Sequence, residues 1–283
     1  MKGDGGDARS LEDLAGRACE GDRDALEEVV RALQDAVYGL ALRMLWHPED
    51  ARDATQEILV RIVTRLRTFR GESSLTTWAY RVAANHLLDV RRSRLERQRL
   101  TFASFGADLE TGLAAPPDVA DAAAAADEAL LLEEVKVGCT YGMLLCLDRP
   151  HRLAYILGEI LETTSEEGAH VLEITPAAFR QRLSRARRAV VAFTRAHCGL
   201  VNPARPCRCR KRVALAVERG RVDARRLLFA GDRERAVRFP RVLAEIRRLD
   251  EARRAAALYR SHPEPSCPEE LAAKLRVLLV ERW

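Results

Sequence analysis

The sequence predicts an all-α protein, and three observations carry that prediction. Aromatic residues are only 5% of the 283, too few for a sandwich or barrel, whose strands favour aromatic and β-branched side chains. Apolar residues recur every three to four positions along most of the chain, the spacing of helices buried on one side. Hydrophobic residues make up 47% and charged residues 31%, which is enough apolar surface for a core and excludes wholesale disorder. The length suits two domains, or three small ones.

The expected architecture is a helical bundle over residues 1–100, a flexible acidic linker over 101–127, a helix-turn-helix domain over 128–197 and a basic helical extension over 198–283. Leu11 to Tyr38 keeps helical spacing without a proline. Pro48 interrupts it, and Asp50 to Leu66 resumes it with Ala54, Ile58, Ile62 and Leu66 every four residues and Leu59 and Val63 widening the stripe. Asp50, Asp53 and Glu57 share another face of that helix. After a loop with Gly71, Ser73 and Ser74, the series Leu75, Ala79, Val82, Ala83, Leu87 and Val90 marks a long helix that carries Arg81, Asn85 and Arg92 on a different face.

Residues 101–127 hold two glycines, Pro116-Pro117 and the run Ala122–Ala126, a composition expected of a linker. From Leu100 to Val135 there is no Lys or Arg, whereas Asp108, Glu110, Asp118, Asp121, Asp127, Glu128, Glu133 and Glu134 all occur. A helix is expected from about Asp127 through Leu130, Leu131, Leu132 and Val135. Thr164 with Glu167 three residues later forms a capping box for a short helix. Glu173-Ile174-Thr175 is a tight turn, and Thr175 caps a second helix with Pro176 in its first position, where the missing N–H costs nothing. Phe179, Leu183, Ala186, Val190 and Phe193 form the apolar stripe of that helix; Ala177, Gln181, Ser184, Arg185 and Arg188 form the opposite face. From Ala177 to Arg195 there are six Arg and no acid. A short helix, a tight turn and a longer basic helix are the parts of a DNA-reading helix-turn-helix, although a basic amphipathic helix with a merely solvated face is also common.

The net charge is +5, a mild sign of a polyanionic partner. No apolar run is long enough to span a bilayer, and Met1-Lys2-Gly3-Asp4 starts no signal-peptide core, so a soluble, cytoplasmic chain is expected. Seven cysteines without a secretion signal point to free thiols, a metal site or a redox site rather than a disulfide framework. There is no Gly-rich phosphate loop, His-Glu-x-x-His or nucleophile elbow, so the chain is not expected to be an enzyme.

Two blocks make the sequence resemble a bacterial RNA polymerase sigma factor of the extracytoplasmic-function type, in the sigma-70 superfamily. The first runs from Pro48-Glu-Asp-Ala-Arg-Asp-Ala-Thr-Gln-Glu-Ile-Leu-Val-Arg-Ile62 through Phe69-Arg-Gly71 to Leu75-Thr-Thr-Trp-Ala-Tyr-Arg-Val-Ala-Ala-Asn-His-Leu-Leu-Asp-Val-Arg-Arg92, and is similar to sigma region 2. The second runs from Leu147-Asp-Arg-Pro-His-Arg152 to Arg188 and is similar to region 4. The resemblance implies a transcription initiation factor whose partners are core RNA polymerase and promoter DNA, with an anti-sigma factor as a further partner. It implies that Asp50, Asp53, Gln56 and Glu57 contact the polymerase. It also implies that Arg81, Asn85, Asp89, Arg91 and Arg92 read and open the minus-ten element, and that Ala177, Gln181, Arg182, Ser184, Arg185 and Arg188 read the minus-thirty-five element. Trp78 matches a family tryptophan and reads as a core residue. The linker either mimics nascent RNA by its charge or is an inert acidic tether. Two departures stand out: Glu173 occupies a turn position where the family usually has Gly, and Gly168 sits where a larger apolar residue is common.

The extension opens with Cys198, Cys207 and Cys209 within twelve residues, next to His197. Those four are the candidate ligands for zinc or another thiophilic metal, or the cysteines form a thiol switch; otherwise no cofactor is required. Cys139 and Cys146 read first as small core residues, either being a possible further ligand. Basic stretches follow around Val213–Gly220, Pro240–Arg260 and Pro268–Val280; with so few aromatics they do not read as membrane-surface helices. A metal- or redox-sensing DNA-binding regulator that does not act through core polymerase is the alternative function. A plain helix-turn-helix repressor would leave the Asp50–Glu57 face and the Arg81–Arg92 helix unexplained.

Overall fold

The computed structural model describes residues 10–90, 100–114 and 127–273. Within these the fold is all-α, as expected, with one isolated backbone bridge between Cys198 and Cys207.

The first helices start where side chains can satisfy their free N–H groups. Ser10 and Asp13 form a reciprocal box at α1, Leu11–Cys19. Asp22 caps α2, Arg23–Leu45. Pro48 opens α3, Pro48–Arg65, and Ser74 caps α4, Leu75–Asp89. The long α2 is the axis of this half: Leu26, Val29, Leu33, Leu40 and Met44 are fully buried against α1, α3 and α4. Trp78 is buried and packs on Phe69, as expected of a core residue.

The segment expected to be a linker begins instead as a helix, α5, Phe102–Ala114. Phe102, Phe105 and Leu109 follow one another at three- and four-residue steps, and the rings of Phe102 and Phe105 lie 5.2 and 5.5 Å from that of Phe193. Composition pointed to a linker because the prolines and alanines fall in its second half; residues 115–126 lie outside the described residues.

The second half contains α6, Glu128–Leu145, then α7, Arg149–Tyr155, which runs on into a π turn at Ile156–Ile160. The short α8, Ser165–Val171, has the expected Thr164–Glu167 capping box, and Thr175 caps α9, Pro176–His197, with proline in the first turn. In the extension are α10, Cys209–Glu218, α11, Arg233–Ile246, and α12, Glu251–Arg260.

The two halves share one hydrophobic core. It runs from Leu14 through α2–α4 to Tyr155, Phe179 and Val190, and takes in Ala255, Tyr259, Cys267 and Leu271 of the extension. Arg152 fastens the halves together: buried, it donates to Leu144 O at 2.9 Å and Leu147 O at 3.0 Å, and also to Met44 O at the end of α2. A guanidinium there satisfies carbonyls that a helix end leaves free and sits at the negative pole of each helix. The extension then straps both halves. The Tyr259 hydroxyl donates to Thr140 O at 2.9 Å, and the Asp35 carboxylate on α2 accepts from Cys267 N at 2.8 Å.

The acidic stretch and the basic extension neutralise each other. Asp108 accepts from Arg221 at 2.6 Å and from Arg212 at 3.4 Å, and also pairs with Arg219. Hydrogen bonding to Arg221, then the neighbouring guanidinium charges, outweigh burial and hold the Asp108 carboxyl below its ordinary range. Asp127 pairs with Arg233, and Glu128 with Arg210 at 2.8 Å. Asp108, Asp127 and Glu128 of this stretch are therefore the seat of the extension.

Candidate nucleic-acid interface

Packing fixes which face of α9 is presented. Phe179, Ala186, Val190 and Phe193 are buried, an apolar stripe in which each large side chain is worth about 1.5–3 kcal/mol. Gly168 on α8 is part of that fit rather than a weakness in it. A Cβ there would stand 2.3 Å from the Phe179 ring, so only glycine lets the ring press against α8. The opposite face, Ala177, Gln181, Ser184, Arg185 and Arg188, is exposed, with Arg182 half-buried. Arg187 and Arg180 are drawn to Glu159 and Glu166 at the side of the helix. Neither Arg185 nor Arg188 takes part in an ion pair among the described residues.

The other predicted reading face lies on α4, and α8 with its following turn touches it at two points while Asn85 stays exposed. Arg81 Nη1 is 3.4 Å from His170 Nε2, and Asn85 Nδ2 donates to Glu173 Oε2 at 3.1 Å. Arg149 donates to Leu88 O at 3.1 Å and Val90 O at 2.6 Å. Glu173 holds a left-handed backbone, φ 52°, a conformation glycine adopts freely and other residues at a cost of roughly 1 kcal/mol. Its carboxylate, which glycine lacks, is the group bound to Asn85. Asp89 is exposed, and Arg91 and Arg92 lie outside the described residues.

A polar cleft of about 450 Å³ opens beside Arg81, lined by Arg67, Phe69, Arg70, Glu72, Ser73 and His170 among others. The loop arginines were not singled out from the sequence; the density of Arg67, Arg70 and Arg81 around Phe69-Arg-Gly71 was the available signal.

On α3 the acidic residues share the face away from Ala51, Ala54, Ile58 and Ile62. Asp53 and Glu57 are exposed, Asp50 and Gln56 half-buried. Glu57 lies 3.6 Å from Arg61 and 3.9 Å from the buried His86. Burial, then the Arg61 charge, keep the His86 pKa below its ordinary value despite Glu57, so the ring is neutral at pH 7.

The Sigma-70 region 2 family matches residues 29–97, the span of α2, α3 and α4. The chain is 30% identical over 176 residues to the ECF RNA polymerase sigma factor SigE of Mycolicibacterium smegmatis, covering 53% of this chain and 67% of that one. The chain belongs to the extracytoplasmic-function sigma factors. It is a transcription initiation factor of the sigma-70 superfamily, a family of DNA-binding regulators. It is also 28% identical over 181 residues to the RNA polymerase sigma-H factor of Pseudomonas aeruginosa, covering 62% of this chain and 90% of that one. The solved structure of CnrH in complex with the cytosolic domain of CnrY matches with a TM-score of 0.45 and 21% identity, over 65% of this chain and 96% of that chain. Among the described residues of this sigma factor, no helix is long and apolar enough to cross a membrane.

The expected metal set of His197, Cys198, Cys207 and Cys209 is not brought together. His197 ends α9 with its ring 4.7 Å from Phe193 and its Nδ1 3.5 Å from Glu110. Helix geometry explains this: His197 still points with the helix, whereas Cys198 has already turned to extended backbone. The three cysteines line a cavity with Cys139 instead. Among the described residues no three His, Cys, Asp or Glu side chains are gathered closely enough to hold a metal ion.

Proposed function

We infer that this sigma factor binds core polymerase through the α3 face of Asp50, Asp53, Gln56 and Glu57, and reads promoters through two separate surfaces. The upstream reader is α9. Its N-terminal turns can enter a major groove, where Gln181 and Arg185 reach base edges and Arg188, a turn further on, takes a phosphate. Arg182, half-buried at the side, steadies the helix against the backbone. The downstream reader is α4 with the neighbouring cleft. Opening a duplex needs cations along the strand and polar groups for the exposed base edges. Arg67, Arg70 and Arg81 supply the first, and Asn85 and Asp89 the second, with Arg91 and Arg92 continuing the same segment. Domain roles follow: region 2 within residues 1–100, region 4 within 128–197, and an extension over 198–283. The site residues bind and position; none is assigned a catalytic step, and the chain works in the cytoplasm with the polymerase.

The observation that carries this reading is the exposed row Gln181, Arg185 and Arg188 on a helix whose other side is locked into the core. Selection of bound promoter DNA followed by run-off transcription with purified core polymerase tests it. Specific transcripts that depend on the added chain are expected. DNA binding without any core-dependent transcript would favour the alternative, a regulator that acts without the polymerase.

A further inference from the structure

A cavity of about 500 Å³ opens where α5, α6, the end of α9 and the start of the extension meet. Its size suits a small-molecule ligand. The walls are mainly apolar: rings such as Phe105 and Phe193 line it, together with the thiols of Cys139, Cys198, Cys207 and Cys209. All four cysteines are free and half-buried. A free cysteine packs as a small hydrophobe. Among the described residues the four do not gather into a metal-holding group, so they count as part of the apolar lining.

Residue choice keeps the space open. Gly138 and Gly142 stand one turn apart inside α6, where glycine weakens a helix relative to a larger residue. Packing explains Gly142: a Cβ there would come within 3.3 Å of the Phe105 ring, so glycine lets α5 lie against α6. Packing does not explain Gly138, which also lines the cavity. A Cβ there would meet only the Phe229 ring, at 3.8 Å, an ordinary contact. A larger side chain has room at this position, and the room is the cavity.

The charged groups on the wall already have partners within the chain. Asp108 holds Arg212 and Arg221. Glu134 accepts from the N–H groups of Leu228, Phe229 and Ala230 at 2.9, 2.8 and 2.9 Å. The Lys136 ammonium lies 3.4 Å from Glu133 and 3.7 Å from the centre of the Phe239 ring. A charged ligand would be desolvated against mainly apolar walls and would compete with these pairs. An uncharged aromatic one meets rings and sulfurs, both of which make favourable contacts with an aromatic edge or face.

We propose that this cavity is a binding site for one small, uncharged aromatic molecule. The occupant touches α5, α6, the end of α9 and the extension at once, and no covalent bond forms. It binds the folded chain with the extension seated, so its uptake stabilises that arrangement by mass action. The site is independent of the polymerase and DNA contacts inferred above, and failure of either leaves the other standing.

The test titrates the full, reduced chain with N-phenylnaphthylamine, an uncharged dye that fluoresces in apolar surroundings, and with anilinonaphthalene sulfonate, the same ring system carrying a charge. One saturable site per chain is expected for the uncharged dye, with the sulfonate about tenfold weaker or more. Alkylation of each thiol by iodoacetamide, read by mass spectrometry, locates the site without any variant. The uncharged dye should slow the reaction of Cys139, Cys198, Cys207 and Cys209 and leave Cys19 and Cys146 unchanged. It should also raise the thermal unfolding midpoint. Gly138→Leu fills the space with a better helix former, so it should keep the fold and weaken the uncharged dye about tenfold or more. Absence of saturable binding overturns the proposal. So does a sulfonate that binds as tightly, protection of other thiols, or a folded Gly138→Leu variant that binds like the parent; if that variant does not fold, the thiol pattern of the parent chain decides.

Discussion

The two surfaces proposed to read DNA differ in one respect that bears on order. The α9 face is exposed and, among the described residues, Arg185 and Arg188 make no ion pair, whereas the α4 face is bridged to α8 and its following turn through Arg81–His170 and Asn85–Glu173. On the proposed roles, α9 is open to duplex DNA, whereas Arg81 and Asn85 must leave His170 and Glu173 before they take a melted strand. Asp53 and Glu57 on α3 are exposed in the same form, so the proposed polymerase contact does not require α8 to leave α4. The proposed roles then imply a sequence in which docking and upstream recognition come first and separation of α8 from α4 follows.

Charge reversal on the acidic α3 face should have the strongest consequence. Asp53→Arg with Glu57→Arg should leave the helix folded, because both positions are off the apolar stripe, and should weaken core binding by about 3 kcal/mol as like charges meet. A pull-down against core polymerase checks it; unchanged affinity removes the acidic face from the account.

DNA without polymerase separates the two surfaces. Arg185→Ala or Gln181→Ala should cost roughly 1–3 kcal/mol on a selected upstream site and relax preference at particular positions. Arg188→Ala should weaken all sequences alike and lower the salt slope. Asn85→Ala should change none of this in anisotropy titrations of the free chain, yet should reduce permanganate-reactive bases in the open complex. An Asn85 variant with a normal open complex would show that α4 does not read the melted strand.

The extension's seat comes next. Asp108→Asn should cost about 2 kcal/mol in urea unfolding, since three arginines lose their shared acid. The Asp108 pKa is lowered in the folded state, so its contribution is present above the ordinary carboxylate range. It is lost as the pH falls below about 4, through the depressed folded value. The variant should show a correspondingly shallower acid limb, and an identical limb would mean the network is not the source of stability.

The smallest effect is at the turn. Glu173→Gly relieves the left-handed strain and removes the bond to Asn85, two changes of about 1 kcal/mol that nearly cancel in global stability. Hydrogen exchange along α4 should nonetheless quicken, because its bridge to the turn after α8 is weakened. Unchanged exchange would mean Glu173 contributes nothing to closure.

What was legible in the sequence was local. The Thr164–Glu167 box and the Thr175-Pro176 start are decided by neighbours within one helical turn, and both stand as read. The stripe of α3 likewise needed only its own periodicity. What was not legible depends on distant partners. His170 meets Arg81 across 89 positions, and nothing in either segment announces the other. The charge blocks were visible, but the partner of the acidic stretch is the chain's own extension. Phe102, Phe105 and Leu109 carried a helical stripe that the prolines and alanines further along obscured. His197 adjoins Cys198 in sequence, but the helix end separates their directions, whereas Cys139 reaches the same cavity from α6.

The most direct test of the sequential account places a photoreactive benzophenone side chain at position 85 on the exposed edge of α4. In the free chain the account predicts a crosslink within the molecule, mapping to the segment around His170 and Glu173. In the promoter complex with core polymerase it predicts that this crosslink disappears and one to the melted downstream DNA replaces it. An internal crosslink that persists at full yield in an open, transcribing complex would contradict the account, because α8 and its following turn would then still touch α4 while the promoter is open.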